Sequence, residues 1–490
     1  MTRRTSCGLL VLLLLALPLG LWSALPHDQG QLPTTVEQYL EATTSSGVPG
    51  VSVTVLQDGK VLHQASSGSL APGTMVPVAS LTKAFTATAV LQLAERGRLR
   101  LDDPVRQHLP GFELDDPRSG SITIRQVLNQ SSGLTDATLG FNQYSAAPAT
   151  PRKAVELLAQ SRLAYPPGTS WDYCNVNYWI AEVLVEEVTG TPLPEHLQRE
   201  VLEPLGMHST VLLDHTGEVP ETGTPTARNH SYLFGRAVPT RTPRTFAGGA
   251  GGLWTTQQDL ARWALFQQGH GPGVGRVLTR GSLREMHRRQ SPLHQYSVGY
   301  ALGWWHGEPA DGGVVRTSHS GTGAGHSAYI GLFPDDVAIT VVVNATGPRA
   351  DDIANDLYAI HRGQPRPPLG APSPVVDSCI AAVAVLACTG CVVAIRRRLR
   401  GEVPRQWRGH AVALLCLTTF LLVVLTPSLG TRLVGRQSNW PLLATMAPVP
   451  VLGAWLTALP CLGVAVSHLL RAAAGQTRST NGRRVPVHRD

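Results

Sequence analysis

Ser80-Leu81-Thr82-Lys83 sets a hydroxyl and an amine three positions apart. In a helix that spacing puts both on one face. A serine hydroxyl is a poor nucleophile until a neighbouring base takes its proton. A lysine serves as that base when burial or a second cation lowers its pKa. The run from Lys83 to Leu93 is apolar and rich in helix formers, so Ser80 is expected at the first turn of a helix ending near Gly97. Free backbone N–H groups at such a turn can hold an oxyanion. Taken alone, the tetrapeptide is better read as a capped amphipathic helix with a solvated lysine. Two later stretches reverse that preference. Tyr173-Cys174-Asn175, after the turn Tyr165-Pro166-Pro167-Gly168-Thr169, offers a phenol and an amide. His319 lies in Ser318-His319-Ser320-Gly321-Thr322-Gly323-Ala324-Gly325, ahead of the apolar strand Ala338–Val343. Nucleophile, base, second proton carrier and a strand-borne electrostatic group are the parts an acyl-transfer site needs.

In this order the motifs resemble the serine β-lactamase and penicillin-binding-protein superfamily. The resemblance is to its branch of class C β-lactamases, related esterases and D-amino-acid peptidases, which carries S-x-x-K, Y-x-N, then K-T-G or a variant such as H-x-G. Leu128–Leu134, Pro167–Asn175, Val188–Gly190, Pro204–Met207 and Gly248–Ala261 agree in the same order, so the resemblance covers roughly residues 34–346. It implies an α+β, β-lactamase-like fold: an antiparallel sheet flanked by helices, with an inserted, mainly α-helical domain and the site between them. It also implies roles. Ser80 is the nucleophile that forms an acyl-enzyme, Lys83 its proton acceptor, and Tyr173 the group that passes a proton to the leaving group. Whether Lys83 or Tyr173 is the general base stays open, because a coupled pair titrates as a unit. Asn175 is expected to orient Lys83 and to hydrogen-bond the substrate. His319 replaces the lysine of K-T-G; the competing reading is a strand histidine facing solvent. Gly321 is expected to allow close backbone approach, and the N–H of Thr322 to complete an oxyanion hole with that of Ser80. Cys174 is read as a filler rather than a catalytic thiol.

Other chemistries find less support. His306, His319 and His326 lack the spacing of a helix-borne metal pair, so no metal and no cofactor are expected. Gly321-x-Gly323-x-Gly325 lacks the lysine and the strand-to-helix context of a phosphate loop. No G-x-S-x-G elbow surrounds Ser80.

These residues must be positioned by elements the pattern also suggests. Val51, Val53 and Val55 alternate before Asp58-Gly59, and Val61-Leu62-His63 returns, which reads as a hairpin over 47–68. Strand signals resume at Val298–Trp305, Val314–Ser318, Ser327–Phe333 and Ala338–Asn344, and Asp352–Arg362 reads as a terminal helix. The chain has 490 residues and a formal net charge of +7. Its arginines crowd the flanks of apolar segments, which fits membrane topology and sets nucleic acid aside as a partner. Residues 1–24 read as a signal peptide or signal anchor, 31–365 as the hydrolase-like domain and 366–374 as a linker. Residues 375–395, 409–425 and 449–470 read as transmembrane helices, and 471–490 as a basic cytoplasmic tail. This predicts a multi-pass protein of the cell membrane with its catalytic domain on the extracytoplasmic side. Of the seven cysteines, only Cys174 lies in the exported domain, so that domain has no internal disulfide. Cys388-Thr389-Gly390-Cys391 is read as two buried thiols of a membrane helix.

The expected function is that of a membrane-tethered serine hydrolase cleaving an ester or amide of a small molecule or peptide, cell-wall peptides included. The alternatives are a D-alanyl peptidase, penicillin-binding protein or β-lactamase, and, in another class, a non-catalytic membrane sensor. A histidine at 319 offers a carboxylate less charge than lysine does, so penicillins are expected to be poor substrates.

Overall fold

The computed structural model describes residues 32–145, 147–291, 298–307, 315–400, 408–426 and 437–480. The described residues fall into two compact units: one holds residues 32–372 with 437–446, the other 373–426 with 447–480. The expected signal segment 1–24, the loop 401–407 and the last residues of the tail lie outside the described residues.

In the larger unit the strands are β1 (Gly50–Gln57), β2 (Lys60–Gly68), β3 (Val76–Pro77), β4 (Val211–Leu212), β5 (His230–Leu233), β6 (Arg236–Pro239), β7 (Leu253–Thr255), β8 (Val298–Tyr300), β9 (Trp305–Gly307), β10 (Arg316–Gly323), β11 (His326–Phe333) and β12 (Val337–Val343). Seven of them form one antiparallel sheet in the order β2-β1-β12-β11-β10-β9-β8. The first hairpin turns at Asp58 and Gly59, with φ of 51° and 72°. Two successive positive φ values match the right-handed twist of the flanking strands. The stretch expected as one strand over 298–305 is two, because the chain reverses through Ala301–Trp304, where Gly303 takes φ 83°.

Alternation on β1 and β12 divides the core. Val51, Val53, Val55, Ile339, Val341 and Val343 face the helices Val36–Ser45 and Ala350–His361. Leu56, the next residue in the alternation, points to the opposite face, where it joins Phe85, Trp179 and Ile330 in the larger cluster; the irregularity beside it falls on β2, where Leu62 is left out of the pairing. That single cluster runs from the sheet into the helices, so the helical insertion is no separate compact body: strands and helices share one core.

The smaller unit contains the helices Pro374–Leu399, Arg408–Val424 and Pro448–Thr480. Among the described residues, two stretches are long and apolar enough to cross a membrane: Pro374–Val393, 20 residues of mean hydropathy 2.1, and Pro448–Val466, 19 residues of mean hydropathy 1.9. The middle helix has 17 residues. The last continues through Pro460 to Thr480, beyond the expected end at 470. Cys391 is buried, whereas Cys388 is only partly so and donates to the carbonyl of Leu456 at 2.7 Å.

Candidate active site

Ser80 sits in a 3-10 turn, Ala79–Leu81, that feeds into the helix Thr82–Glu95. Ala79 has φ 44°, a left-handed conformation that a residue with a Cβ adopts only under constraint. β10 packs against this turn, and a glycine permits it: a Cβ at Gly321 would stand 2.0 Å from the carbonyl oxygen of Val78. Thr322 and Ser80 line the same cleft.

The helix after Ser80 is not amphipathic. Every residue from Thr82 to Leu93 is buried, and Lys83 is 0 % exposed. The solvated-lysine reading is thereby excluded. Lys83 Nζ lies 3.2 Å from Ser80 Oγ, 2.9 Å from Asn175 Oδ1 and 2.7 Å from the carbonyl oxygen of Ala250. It also stands 4.8 Å from the centroid of the Tyr173 ring. Ser80, Lys83, Tyr173 and Asn175 therefore meet, although the last two lie far along the chain.

The segment carrying Tyr173 and Asn175 is held from below. Gln130, with φ 61°, accepts at Oε1 from the Cys174 N–H at 3.1 Å and from Asn177 Nδ2 at 2.7 Å. Ser132 donates to Asn177 Oδ1 at 2.7 Å, and the Cys174 thiol donates to Asp136 at 3.5 Å. Cys174 is 0 % exposed, which suits packing and not nucleophilic attack. Asn175 immediately precedes the helix Val176–Thr189 without a capping side-chain hydrogen bond, its Oδ1 being taken by Lys83. Tyr173 stacks on Trp305, ring centroids 5.8 Å apart and planes 8° apart.

His319 lies on β10. It is 1 % exposed and is not among the residues lining the Ser80 cleft. Its ring lies behind Tyr173, 6.3 Å between centroids. Nδ1 is 2.7 Å from the carbonyl oxygen of Ser320, which can only accept, so Nδ1 carries the hydrogen. Burial, then the nearby Lys83, hold the imidazole pKa down to about 3. A neutral ring protonated at Nδ1 accepts at Nε2, and the Tyr300 hydroxyl donates to it at 2.8 Å. Both ring nitrogens of His319 are thus engaged inside the protein, with Ser320 and Tyr300.

Sequence reading missed Tyr300, Trp305 and Glu182. Tyr300 is fully buried, and burial raises its pKa well above the usual phenol value, so it stays protonated. Glu182 projects from the helix Val176–Thr189 and is 0 % exposed. Its Oε2 accepts from the Gly249 N–H at 2.9 Å, and a Cβ at Gly248 would come within 2.2 Å of that oxygen. Burial pushes its carboxyl pKa well up. Glu182 thus fixes the turn Gly248–Gly251, whose Ala250 carbonyl receives Lys83. The double glycine at 248–249 was the available signal, because it marks a backbone that something approaches closely.

The family model described as Beta-lactamase matches residues 33–363. Penicillin-binding protein 4 of Amycolatopsis lactamdurans is 29% identical over 347 residues, 66% of this chain and 87% of that protein. Protein flp of Staphylococcus aureus (strain NCTC 8325 / PS 47) is 26% identical over 336 residues, 65% of this chain, and the match spans 63% of that protein. Among solved structures, a D-stereospecific amidohydrolase from Streptomyces sp. shares 29% identity at a TM-score of 0.51, covering 67% of this chain and 96% of its own. The octameric penicillin-binding protein homologue from Pyrococcus abyssi, at 24% identity and TM-score 0.57, covers 66% of this chain and 76% of its own and shares the fold. With the sheet, the adjacent Ser80 and Lys83 and a family match over most of its length, the chain belongs to the β-lactamase family, within the serine β-lactamase and penicillin-binding-protein-like superfamily.

Proposed function

We propose that this protein is a membrane-tethered serine hydrolase that cleaves an ester or amide through an acyl-enzyme on Ser80. One observation carries the reading: the arrangement of acceptors around Lys83 Nζ. A neutral amine has two hydrogens and one lone pair. Asn175 Oδ1 and the Ala250 carbonyl are both acceptors and take the two hydrogens. Ser80 Oγ, 3.2 Å away, is the third polar atom around Nζ, and in this reading Lys83 enters the reaction as the neutral amine, after giving up its third proton, with its lone pair turned to the Ser80 hydroxyl.

In this reading Lys83 takes the hydroxyl proton as Oγ bonds to the substrate carbonyl carbon. The N–H groups of Ser80 and Thr322 hold the oxyanion. Collapse of the tetrahedral intermediate breaks the bond to the leaving alkoxide or amine, which receives its proton by way of Tyr173. Water then attacks the acyl-enzyme, the proton relay runs in reverse, and the acid is released. His319 and Tyr300 act behind Tyr173 as positioning residues. The apolar helices Pro374–Leu399 and Pro448–Thr480 support a membrane tether, with residues 31–365 outside the cytoplasm.

A second reading, a D-alanyl peptidase or penicillin-binding protein, has its own support. Arg228 and Arg241 line the cleft and offer a carboxylate the positive charge that His319 does not. A substrate panel on the purified full chain separates the two. Short acyl esters turned over faster than penicillins or D-alanyl peptides at neutral pH support the first reading. The reverse order promotes the second. No turnover and no labelling by a serine-directed fluorophosphonate would reduce the site to a binding function.

A further inference from the structure

The segment just before the last apolar helix enters the same cleft. Residues 437–446 lie against the catalytic fold and end in a short helix, Trp440–Met446. Gln437 is only 8 % exposed and is gripped on both ends of its side chain. Its Nε2 donates to the carbonyl oxygens of Asp136 at 2.9 Å and Phe141 at 2.7 Å, and its Oε1 accepts from the Gln143 N–H at 2.7 Å. Its backbone N–H donates to Asp136 Oδ2 at 3.0 Å. Asn142 donates to the Ser438 carbonyl at 2.8 Å, Asn439 to that of Tyr144 at 2.5 Å, and Ser231 to that of Thr445.

This seat is built for the segment. Asp136 is 1 % exposed, and a buried carboxylate oxygen left without a donor is costly. One of its oxygens is met by Gln437, the other by Gln143 Nε2 at 2.6 Å. The same Asp136 accepts from Cys174, between Tyr173 and Asn175. The segment is thus tied to the loop that carries the site.

Its free face is apolar. Leu442 and Met446 line the cleft that holds Ser80, together with Trp179, Val219 and Phe246. That cleft has a volume of about 970 Å³, at the upper end of the roughly 300–1,000 Å³ of small-molecule sites. An acetyl group would leave most of it empty.

We propose that residues 437–446 form a substrate-selecting wall of the Ser80 cleft, and that Leu442 and Met446 seat an aliphatic acyl chain of the substrate. The substrate class is accordingly a medium-chain acyl ester or amide, not an acetyl ester. This rests on Ser80 being the nucleophile.

The test uses the full chain in detergent micelles, with p-nitrophenyl acetate and p-nitrophenyl octanoate as probes and fluorophosphonate labelling of Ser80 as a control. The wild type should favour octanoate in kcat/KM. Leu442→Ala and Met446→Ala should each lower the octanoate-to-acetate ratio by about tenfold, mainly through KM, as lost apolar contacts in a pocket do. Gln437→Ala, which frees the segment at its anchor, should lower the same ratio. A ratio unchanged in the two cleft-facing variants, or an equal fall on both esters, overturns the proposal while labelling leaves the Ser80 reading intact. A wild type that is not labelled overturns both.

Discussion

Acid should weaken this fold partly through His319, by an amount that can be worked out. Its ring is held neutral in the folded protein, with a pKa of about 3, by burial and by Lys83. In the unfolded chain an ordinary histidine titrates near 6.5. Between those values the unfolded state binds a proton that the folded state does not, so stability falls as pH falls below the unfolded pKa. From pH 7 to pH 5 this one ring costs about 2 kcal/mol. His326, which is buried, and His287, which is partly buried, also have lowered pKa values, of about 4 and about 3, and add to the same acid slope. His319→Gln removes one of the three titrations. The assay is urea unfolding of the full chain at pH 7 and pH 5, followed by tryptophan fluorescence. The variant should lose about 2 kcal/mol less than the wild type over that interval. Comparing losses within each protein removes any uniform destabilisation caused by the substitution itself. Equal losses would refute the reasoning, because they would mean that the imidazole titrates alike folded and unfolded and is not sealed behind Tyr173.

Three further outcomes are expected. Lys83→Ala should slow acylation by a fluorophosphonate by about 10²–10⁴-fold, the usual contribution of a positioned base, in stopped-flow or gel-based labelling; an undiminished rate would remove Lys83 from the chemistry. Glu182→Gln should gain stability relative to wild type as pH rises. The folded carboxyl keeps its proton above the unfolded pKa, at a cost of up to about 1.4 kcal/mol per pH unit that an amide does not incur, and parallel urea curves at pH 5 and pH 8 would contradict this. Reporters fused after Pro372 should read exported, and those fused after Arg400 or at the C-terminus cytoplasmic; an exported reading at Arg400 would refute the topology.

What was legible in the sequence was local. The i, i+3 spacing of Ser80 and Lys83, the Asp58-Gly59 turn, the alternation of β1 and the apolar runs near the C-terminus each depend on near neighbours, and the corresponding elements are present. The order of the motifs also carried the site residues far from Ser80. What stayed hidden was whatever folding brings in without a local mark. The Ala250 carbonyl that receives Lys83 comes from 167 positions away, and any residue type presents a carbonyl. Glu182 looks like the polar face of an ordinary helix, yet that face is turned inward onto Gly249. His319 was placed correctly on a strand, but the period of two does not say whether its face meets solvent, substrate or a tyrosine, and here Tyr300 decides. Gln437 lies 301 positions from Asp136 in an unremarkable polar stretch between apolar segments, and only the assembled fold brings the two together.

The central claim is that Ser80 carries the acyl group. Rapid quenching of the full chain in the presence of p-nitrophenyl octanoate, followed by mass spectrometry of its peptides, tests it directly. A peptide containing Ser80 should be heavier by one octanoyl group at early times, delayed in formation by Lys83→Ala and absent in Ser80→Ala. Ester turnover with no acylated Ser80 peptide, or with the acyl group on another residue such as Cys174, would contradict it.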